Sequence, residues 1–572
     1  MSMNVSKQKR EDLLAKIKAI RTYIATAPQD ENTANLLAYL SELEKDVGAK
    51  KYGLVFEEHR EEIDEVLATH TPVLTEDGSL FIDHGGQMNF LIEGDNLASL
   101  QLLEKTHKGK IDLIYIDPPY NTGNKDFIYD DAFVDVNDTF RHSKWLSFME
   151  KRLSIAKKLL TEVGIILLSI NDNECSDLKL LCDSIFGTEN FVENFIWVKN
   201  SGGSLSKTTL TRHEYILCYA KNIELSFNMP FYFMEKPGYQ NVVNLISNCK
   251  EKGLTIEQAK KILSKFYADH PELKGISLYN NIDEEWKVYR TLPITAPNNQ
   301  FYDVLHPVTG KPVKTPPRGW SWSEDTMQKN IASGKVVFGK DETYGISQKL
   351  YLEEAKFEHK RSTFMCDQAE GNKILQTVLD SSNAFNNPKP ISLLTYLFQN
   401  TPANITILDF FAGSGTTGHA VMKLNAEDGG QRKFILCTNN ENNICREVTY
   451  ERIKRVIDKE GYAASLKYFK VDYIPVSEHM YYEYADELLA HIRELVELEN
   501  GINFTGNAEV GIVLTEDELA AFIQNGEAFA KCRKLYMGHD LLPDEEQEKI
   551  LRSRGIEISI IPDYYYRDLQ EG

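Results

Sequence analysis

Four consecutive residues, Asp117-Pro118-Pro119-Tyr120, have the clearest capacity for chemistry in this 572-residue chain. An exocyclic aromatic amine has two hydrogens to donate. The Asp117 carboxylate and the Pro118 carbonyl can accept both, which draws the nitrogen toward sp³ character and aims its lone pair at an electrophile. Proline has a restricted φ and no amide hydrogen, so two in succession hold the flanking groups rigidly. Tyr120 offers a flat face on which an extruded base can stack. An in-line displacement at a sulfonium methyl needs little beyond such alignment. Taken alone, the tetrapeptide is equally a strand-end turn in which Pro-Pro blocks a helix. The loop continues with small polar groups, Asn121-Thr122-Gly123, which a simple strand terminator does not need.

A second run, Asp409-Phe410-Phe411-Ala412-Gly413-Ser414-Gly415-Thr416-Thr417, lies between a strand pattern and a helix pattern. Gly413 and Gly415 allow the backbone to approach a ligand closely. Thr416 and Thr417 can help cap the following helix. Alone, such a loop also fits a dinucleotide site or a structural turn. The chain lacks the GxxxxGK[ST] pattern of a P-loop, which disfavours a nucleotide hydrolase. The two runs are 292 residues apart, so they cooperate only if both open at neighbouring strand ends of one sheet. Open α/β sheets bind ligands at the carboxyl ends of their strands.

The elements needed for this are legible. Short apolar runs read as strands at Phe90–Glu93, Ile111–Ile116, Gly164–Ile170, Phe195–Val198 and Tyr215–Tyr219. The runs at 111–116 and 165–168 are nearly continuous, as in strands buried on both faces of a parallel sheet. Trp145 to Leu160 reads as the crossover helix between them. From 223 to 365 the regularity fades into Asn, Tyr, Pro and Gly. It returns at Ile405–Asp409 and at the strand Phe434–Cys437. The fold class expected is an α/β, Rossmann-like sheet assembled from two separated pieces around an insertion. The expected divisions are a helical region at 1–70, a first core half at 71–222, the insertion at 223–365, a second core half at 366–472 and a small α/β unit at 473–572. Leu13, Ile17, Ile20 and Ile24, then Leu36, Leu40, Leu43 and Val47, mark an N-terminal helical hairpin.

The net charge of −21 argues against indiscriminate nucleic-acid binding. Residues 201–360 hold 21 Lys and Arg against 18 Asp and Glu, a balance of +3 that leaves −24 on the rest. Nucleic acid is therefore expected at the middle of the chain. There Lys311, Lys314, Arg318 and Trp320 are the candidate contacts, mixing cations with aromatics. No apolar run is long enough to span a bilayer and no secretory leader is recognisable, so a cytosolic protein is expected. The eight cysteines form no CxxC pair and read as reduced thiols. His213-Glu214 reads as structural, because no metal-ligand spacing surrounds it.

Together the two runs resemble those of the amino-methylating DNA methyltransferases of the permuted β class. More closely, the chain resembles the modification subunit of Type III restriction–modification systems. Gly94-Asp95-Asn96-Leu97, the segment Thr139 to Trp145, and Asn387-Pro388-Lys389-Pro390 share in that resemblance. It implies a permuted methyltransferase sheet with an inserted target-recognition domain, S-adenosylmethionine as cofactor and the N6 amine of a flipped adenine in duplex DNA as acceptor. It also implies a homodimer and a separate restriction (helicase–nuclease) subunit as partner. Asp117, Pro118, Pro119 and Tyr120 match the catalytic motif. Asp409 to Thr417 match the cofactor loop, extended by Asn121 and Thr122. Asp95 matches the acidic residue near the cofactor's adenine, and Phe385 and Lys389 match the segment around its methionine end. An acidic residue on the ribose is usual after the next strand. Here that strand ends Thr438-Asn439-Asn440-Glu441, and any of the last three could serve. Neither a metal nor a nucleoside triphosphate enters this chemistry. Alternatives are the exocyclic amine of cytosine, a methyltransferase without a nuclease partner, a protein side-chain amide and a non-enzymatic DNA-binding subunit. An amide-directed relative usually carries Asn in place of Asp117.

Overall fold

The computed structural model describes residues 5–26, 33–48, 56–123, 128–129, 132–133, 138–200, 204–205, 209–295, 300–381, 384–476, 488, 490–504, 507, 509–538 and 541–561. The polar break after Ala27 and the C-terminal tyrosines 564–566, read from the sequence, lie outside these residues.

Ten strands build one sheet: β1 (His70–Glu76), β2 (Gln87–Glu93), β3 (Ile111–Ile116), β4 (Leu160–Ile170), β5 (Phe191–Lys199), β6 (His213–Ala220), β7 (Thr363–Cys366), β8 (Thr406–Asp409), β9 (Lys433–Thr438) and β10 (Ala464–Pro475). Their spatial order is β1-β10-β2-β9-β8-β3-β4-β6-β5-β7. The strands from β10 to β4 run parallel. At one flank β6 is antiparallel to both β4 and β5, and at the other β1 is antiparallel to β10. The sheet is therefore mixed: β3 and β4, read from sequence as strands of a parallel sheet, are parallel, and the flanking strands add antiparallel pairs. The apolar runs of β4 and β6 look alike because both are buried, and burial does not encode direction.

Alternation within β3 shows how the core is divided. Ile114 and Ile116 pack into the cluster on one face, and Leu113 and Tyr115 into the cluster on the other. This is the period-two geometry of a strand covered on both sides. Helices α1 (Asn96–His107), α2 (Arg141–Leu159) and α3 (Cys175–Phe186) cover the first face. Helices α4 (Ile391–Phe398), α5 (Thr416–Asp428) and α6 (Glu451–Glu460) cover the second. Burying one Leu- or Ile-sized side chain contributes about 1.5–3 kcal/mol, so these two layers dominate the stability of the molecule.

The chain between β6 and β7 forms its own short strands and helices around two small apolar clusters. It rejoins the main sheet when β7 pairs with β5, so the expected boundary at 365 falls within a strand. Toward the C-terminus, Val510–Val513, Lys534–Met537 and Glu557–Ile560 make a separate three-stranded parallel sheet. Helix Ile492–Asn500 ties this region to the core. Its Glu497 pairs with Lys467 of β10, whose side chain is fully buried and also reaches Glu76 of β1 at 3.0 Å. Residues 5–26 and 33–48 form the expected helical hairpin, with Ile17 and Leu40 buried. No helix among the described residues is long and apolar enough to cross a membrane.

Candidate active site

Asp117 to Tyr120 leave the carboxyl end of β3, and the glycine loop leaves the carboxyl end of the adjacent β8. The two distant runs thus open side by side. Lys389, immediately before α4, bridges them. Its Nζ donates to both Asp117 carboxylate oxygens at 2.7 Å, and its backbone carbonyl accepts from Thr416 Oγ1 at 3.3 Å. The ammonium also lies 4.9 Å from the centre of the Tyr120 ring.

The Tyr120 hydroxyl donates to Glu214 Oε2 at 3.1 Å. Glu214 is buried at the start of β6, where its other oxygen accepts from Lys199 of β5, and Lys389 stands 3.7 Å from Oε2. Burial alone would raise the Glu214 carboxyl. The Lys389 and Lys199 ammoniums outweigh it and hold the group below its ordinary range. Burial would lower the Lys389 ammonium, but Asp117 and Glu214 hold it up. Burial and the neighbouring carboxylates push the Tyr120 phenol well above its usual value. At neutral pH Glu214 and Lys389 therefore carry opposite charges beside a neutral Tyr120 phenol.

A second set of bonds fixes the loop from below. Trp145 of α2 donates its Nε1–H to the Pro119 carbonyl at 2.7 Å. Asn121 takes a left-handed φ of 53° and is buried. Asparagine tolerates this conformation better than most residues. Its amide donates to Glu174 Oε1 at 2.6 Å, and His142 Nδ1 meets the same oxygen at 2.7 Å. Arg141 Nε, a donor only, is 3.1 Å from His142 Nε2. Nε2 must therefore accept, which puts the imidazole proton on Nδ1, facing Glu174. Among the described residues, His142, Glu174 and Asp177 are the one trio whose possible metal ligands lie within 4.8 Å of one another. The proton on Nδ1 makes the trio a hydrogen-bond chain instead of an open donor set. Burial pushes the Glu174 carboxyl up to about 8.

The glycine loop is held by bonds inside the core. Asp409 accepts from the Phe411 amide at 3.0 Å and from Thr417 Oγ1 at 2.5 Å, and burial raises its carboxyl to about 7. Gly413 and Gly415 have φ of 48° and 72°. A Cβ on Gly413 would come 3.1 Å from Phe385 Cζ, and one on Gly415 would come 3.2 Å from Thr449 Cγ2. Arg452, fully buried at the start of α6, donates to the Ser414 carbonyl and hydroxyl at 3.2 Å and to Thr416 Oγ1 at 2.7 Å. Thr449 Oγ1 donates to the Gly413 carbonyl at 2.5 Å. Thr449 belongs to a π-helical turn, Ile444–Tyr450, a feature common at functional sites. Phe410 and Ala412 are buried, and the Phe411 ring lies 5.8 Å from that of Phe148.

The remaining cofactor candidates follow neighbouring strand ends of the sheet, and the DNA candidates lie in the insertion. Asn439, Asn440 and Glu441 follow β9, with Asn439 and Glu441 exposed. Asp95 follows β2 and caps α1, accepting from the amides of Leu97 at 2.7 Å and Ala98 at 3.3 Å. Thr122 continues the catalytic loop and is half-buried. Lys311, Lys314 and Arg318 are exposed in the insertion, with Lys311 paired to Glu342 at 3.1 Å. Trp320 departs from expectation. It is wholly buried among Val304, Val313 and Met327, and its Nε1–H donates to the Tyr302 carbonyl at 3.0 Å. A side chain with no exposed surface cannot stack on a base.

Residues of the site not singled out for it from sequence include Glu214, Glu174, Lys199, Thr449 and Arg452. Glu214 stands beside a histidine at the start of a strand and gave only a structural reading. The one usable signal was an acidic residue at the crevice end of an otherwise apolar strand. Arg452 is one of many cations on an amphipathic helix, and nothing local separates it from a surface arginine.

A family model described as DNA methylase matches residues 111–450, more than half of the chain. The Mod subunit of the Type III restriction-modification enzyme EcoP15I from Escherichia coli is 32% identical over 383 residues, covering 62% of this chain and 58% of that one. The StyLTI Mod subunit from Salmonella typhimurium is 33% identical over 410 residues, covering 65% and 57%. The Type II methyltransferase M.KpnI from Klebsiella pneumoniae is 34% identical over 361 residues, covering 61% and 79%. The matched stretch thus spans little more than half of either Mod subunit. The matched residues run from β3 through the insertion to the π-helical turn and include both loops of the crevice: the chain belongs to the DNA methylase family.

Proposed function

We propose that the protein transfers a methyl group from S-adenosylmethionine to the N6 amine of an adenine turned out of duplex DNA, as the modification subunit of a Type III restriction–modification system. The observation that carries this reading is the placement of Asp117 and the glycine loop at neighbouring strand ends, joined through Lys389.

The crevice suits the cofactor. A Cβ at Gly413 would stand 3.1 Å from Phe385 Cζ, and its φ of 48° favours glycine, which leaves bare backbone along the loop. Phe385 and Phe411 present aromatic rings, to which a sulfonium is attracted as any cation is. Exposed Asn439 and Glu441 offer hydrogen bonds to hydroxyls. When bound, the cofactor supplies an electrophilic methyl. The chain's own residues do the rest. Tyr120 gives the base a stacking face. Asp117 and the Pro118 carbonyl accept the two amine hydrogens, and Asp117 is placed to take the proton the amine must shed. Trp145 and Asn121 keep that loop from shifting, and alignment is most of what such a displacement requires. The insertion, with its exposed Lys311, Lys314 and Arg318, reads the DNA. A homodimer and a helicase–nuclease partner belong to the same proposal.

Sequencing that detects modified bases, applied to DNA from cells expressing the chain, gives both the base and the site. N6-methyladenine within one sequence context is expected, and N4-methylcytosine would transfer the reading to cytosine. Asp117→Ala should cut methyl transfer by about 10³-fold, the scale seen on removing one transition-state hydrogen-bonding group, while DNA binding persists.

A further inference from the structure

The Lys389 ammonium sits where the substrate amine has to go. It donates to both Asp117 oxygens and lies over the Tyr120 ring, so it engages both the acceptor and the aromatic group that the proposed reaction assigns to the target base. A base that uses Asp117 must displace it. Moving a buried ammonium away from its carboxylate without a replacement is costly, because the uncompensated charge loses several kcal/mol of solvation. A replacement is at hand. Glu214 Oε2 is 3.7 Å from Lys389 Nζ, and a shift of about 1 Å brings the two to the distance of a charge-assisted hydrogen bond. Glu214 is itself anchored, since Lys199 holds Oε1 and the Tyr120 hydroxyl marks Oε2.

We propose that Glu214 is a positioning residue for methyl transfer, the second seat of the Lys389 ammonium, which moves from Asp117 to Glu214 as the target amine arrives. In this arrangement Lys389 is a placeholder that holds Asp117 and Tyr120 in position, and Glu214 sets how readily the placeholder leaves. The inference rests on the function proposed above, in that it takes Asp117 as the acceptor of the amine.

The test uses the full chain, without cofactor, on duplex DNA carrying the methylated site with 2-aminopurine in place of the base beside the target adenine. Fluorescence reports base extrusion, and methylation of the unsubstituted duplex by the wild-type protein reports the function itself, so the two can fail separately. Glu214→Gln, which removes the charge and keeps the shape, should lower the extruded fraction by about tenfold, well within the range over which minor states are populated. Lys389→Met should raise extrusion above wild type, a gain that misfolding would not produce. In the double variant the Glu214→Gln defect should vanish, because no ammonium is left to seat. A defect of equal size with and without Lys389 would show that Glu214 only supports the fold, and would overturn the proposal. No gain from Lys389→Met would overturn it as well.

Discussion

The two loops of the crevice are built in opposite ways. The glycine loop is fastened from behind by groups with no exposed surface: Asp409, Thr417 and Arg452, joined by Thr449 from the π-helical turn. Its shape is set by φ angles that only a few residue types adopt. The catalytic loop is held on its working side by Lys389, Glu214 and Tyr120, groups with other partners within reach, and on its far side by Trp145 and the Glu174 chain. A cavity that receives the same cofactor every cycle gains from rigidity. On the function proposed above, a seat that must empty and fill with a base gains from bonds that can be exchanged.

The contrast can be broken from the rigid side first. Arg452→Met leaves the Ser414 carbonyl and the Thr416 hydroxyl without a buried donor, and should cost about 2–6 kcal/mol at 1–3 kcal/mol per unsatisfied group, read as a lower midpoint of thermal unfolding. Its effect on catalysis should be a raised KM for the cofactor. Trp145→Phe removes one hydrogen bond beneath the catalytic loop. It should cost about 1–3 kcal/mol and lower kcat with little change in cofactor KM, the reverse of the Arg452 pattern.

A smaller effect follows from pH. The Glu174 carboxyl is raised from 4.5 to about 8 by burial. The folded protein therefore binds this proton more tightly than the unfolded chain does. The stability it contributes is complete below 4.5 and is lost as pH rises toward 8. Glu174→Gln, which cannot ionise, should flatten the dependence of the unfolding midpoint over that window. An unchanged slope would show that the group is ionised in the fold. The smallest effect is expected in the insertion. Lys311 is exposed and its pair with Glu342 adds little to stability. Lys311→Ala should leave the unfolding midpoint unchanged and weaken DNA binding evenly across sequences, reducing the salt slope by about 1.

The difference between the loops also explains what the sequence made legible. Asp117 to Tyr120 and Asp409 to Thr417 are contiguous, and each carries residue types whose geometry is local: paired prolines, and glycines at positive φ. The strands β3 and β8 could be placed for the same reason, because an apolar run bounded by a turn needs no partner to be recognised. Glu214, Glu174 and Arg452 acquire their roles only when the sheet brings β6, α3 and α6 against loop residues that lie 38 to 94 residues away in sequence. Strand direction was lost too, since β4 and β6 bury the same kinds of side chain whichever way they run. Trp320 misled because an aromatic among cations reads as a stacking platform. The deciding fact was its packing against Val304 and Val313 of the same insertion, which no local pattern displays.

Lys467 carries a consequence for anyone wishing to trim this chain. Its ammonium is sealed between two acids, one on the first strand of the sheet and the other on helix Ile492–Asn500. Cutting the polypeptide ahead of that helix would discard one countercharge and admit water to the back of β10, so the terminal unit is a fastener of the catalytic body and cannot be dispensed with as a tail.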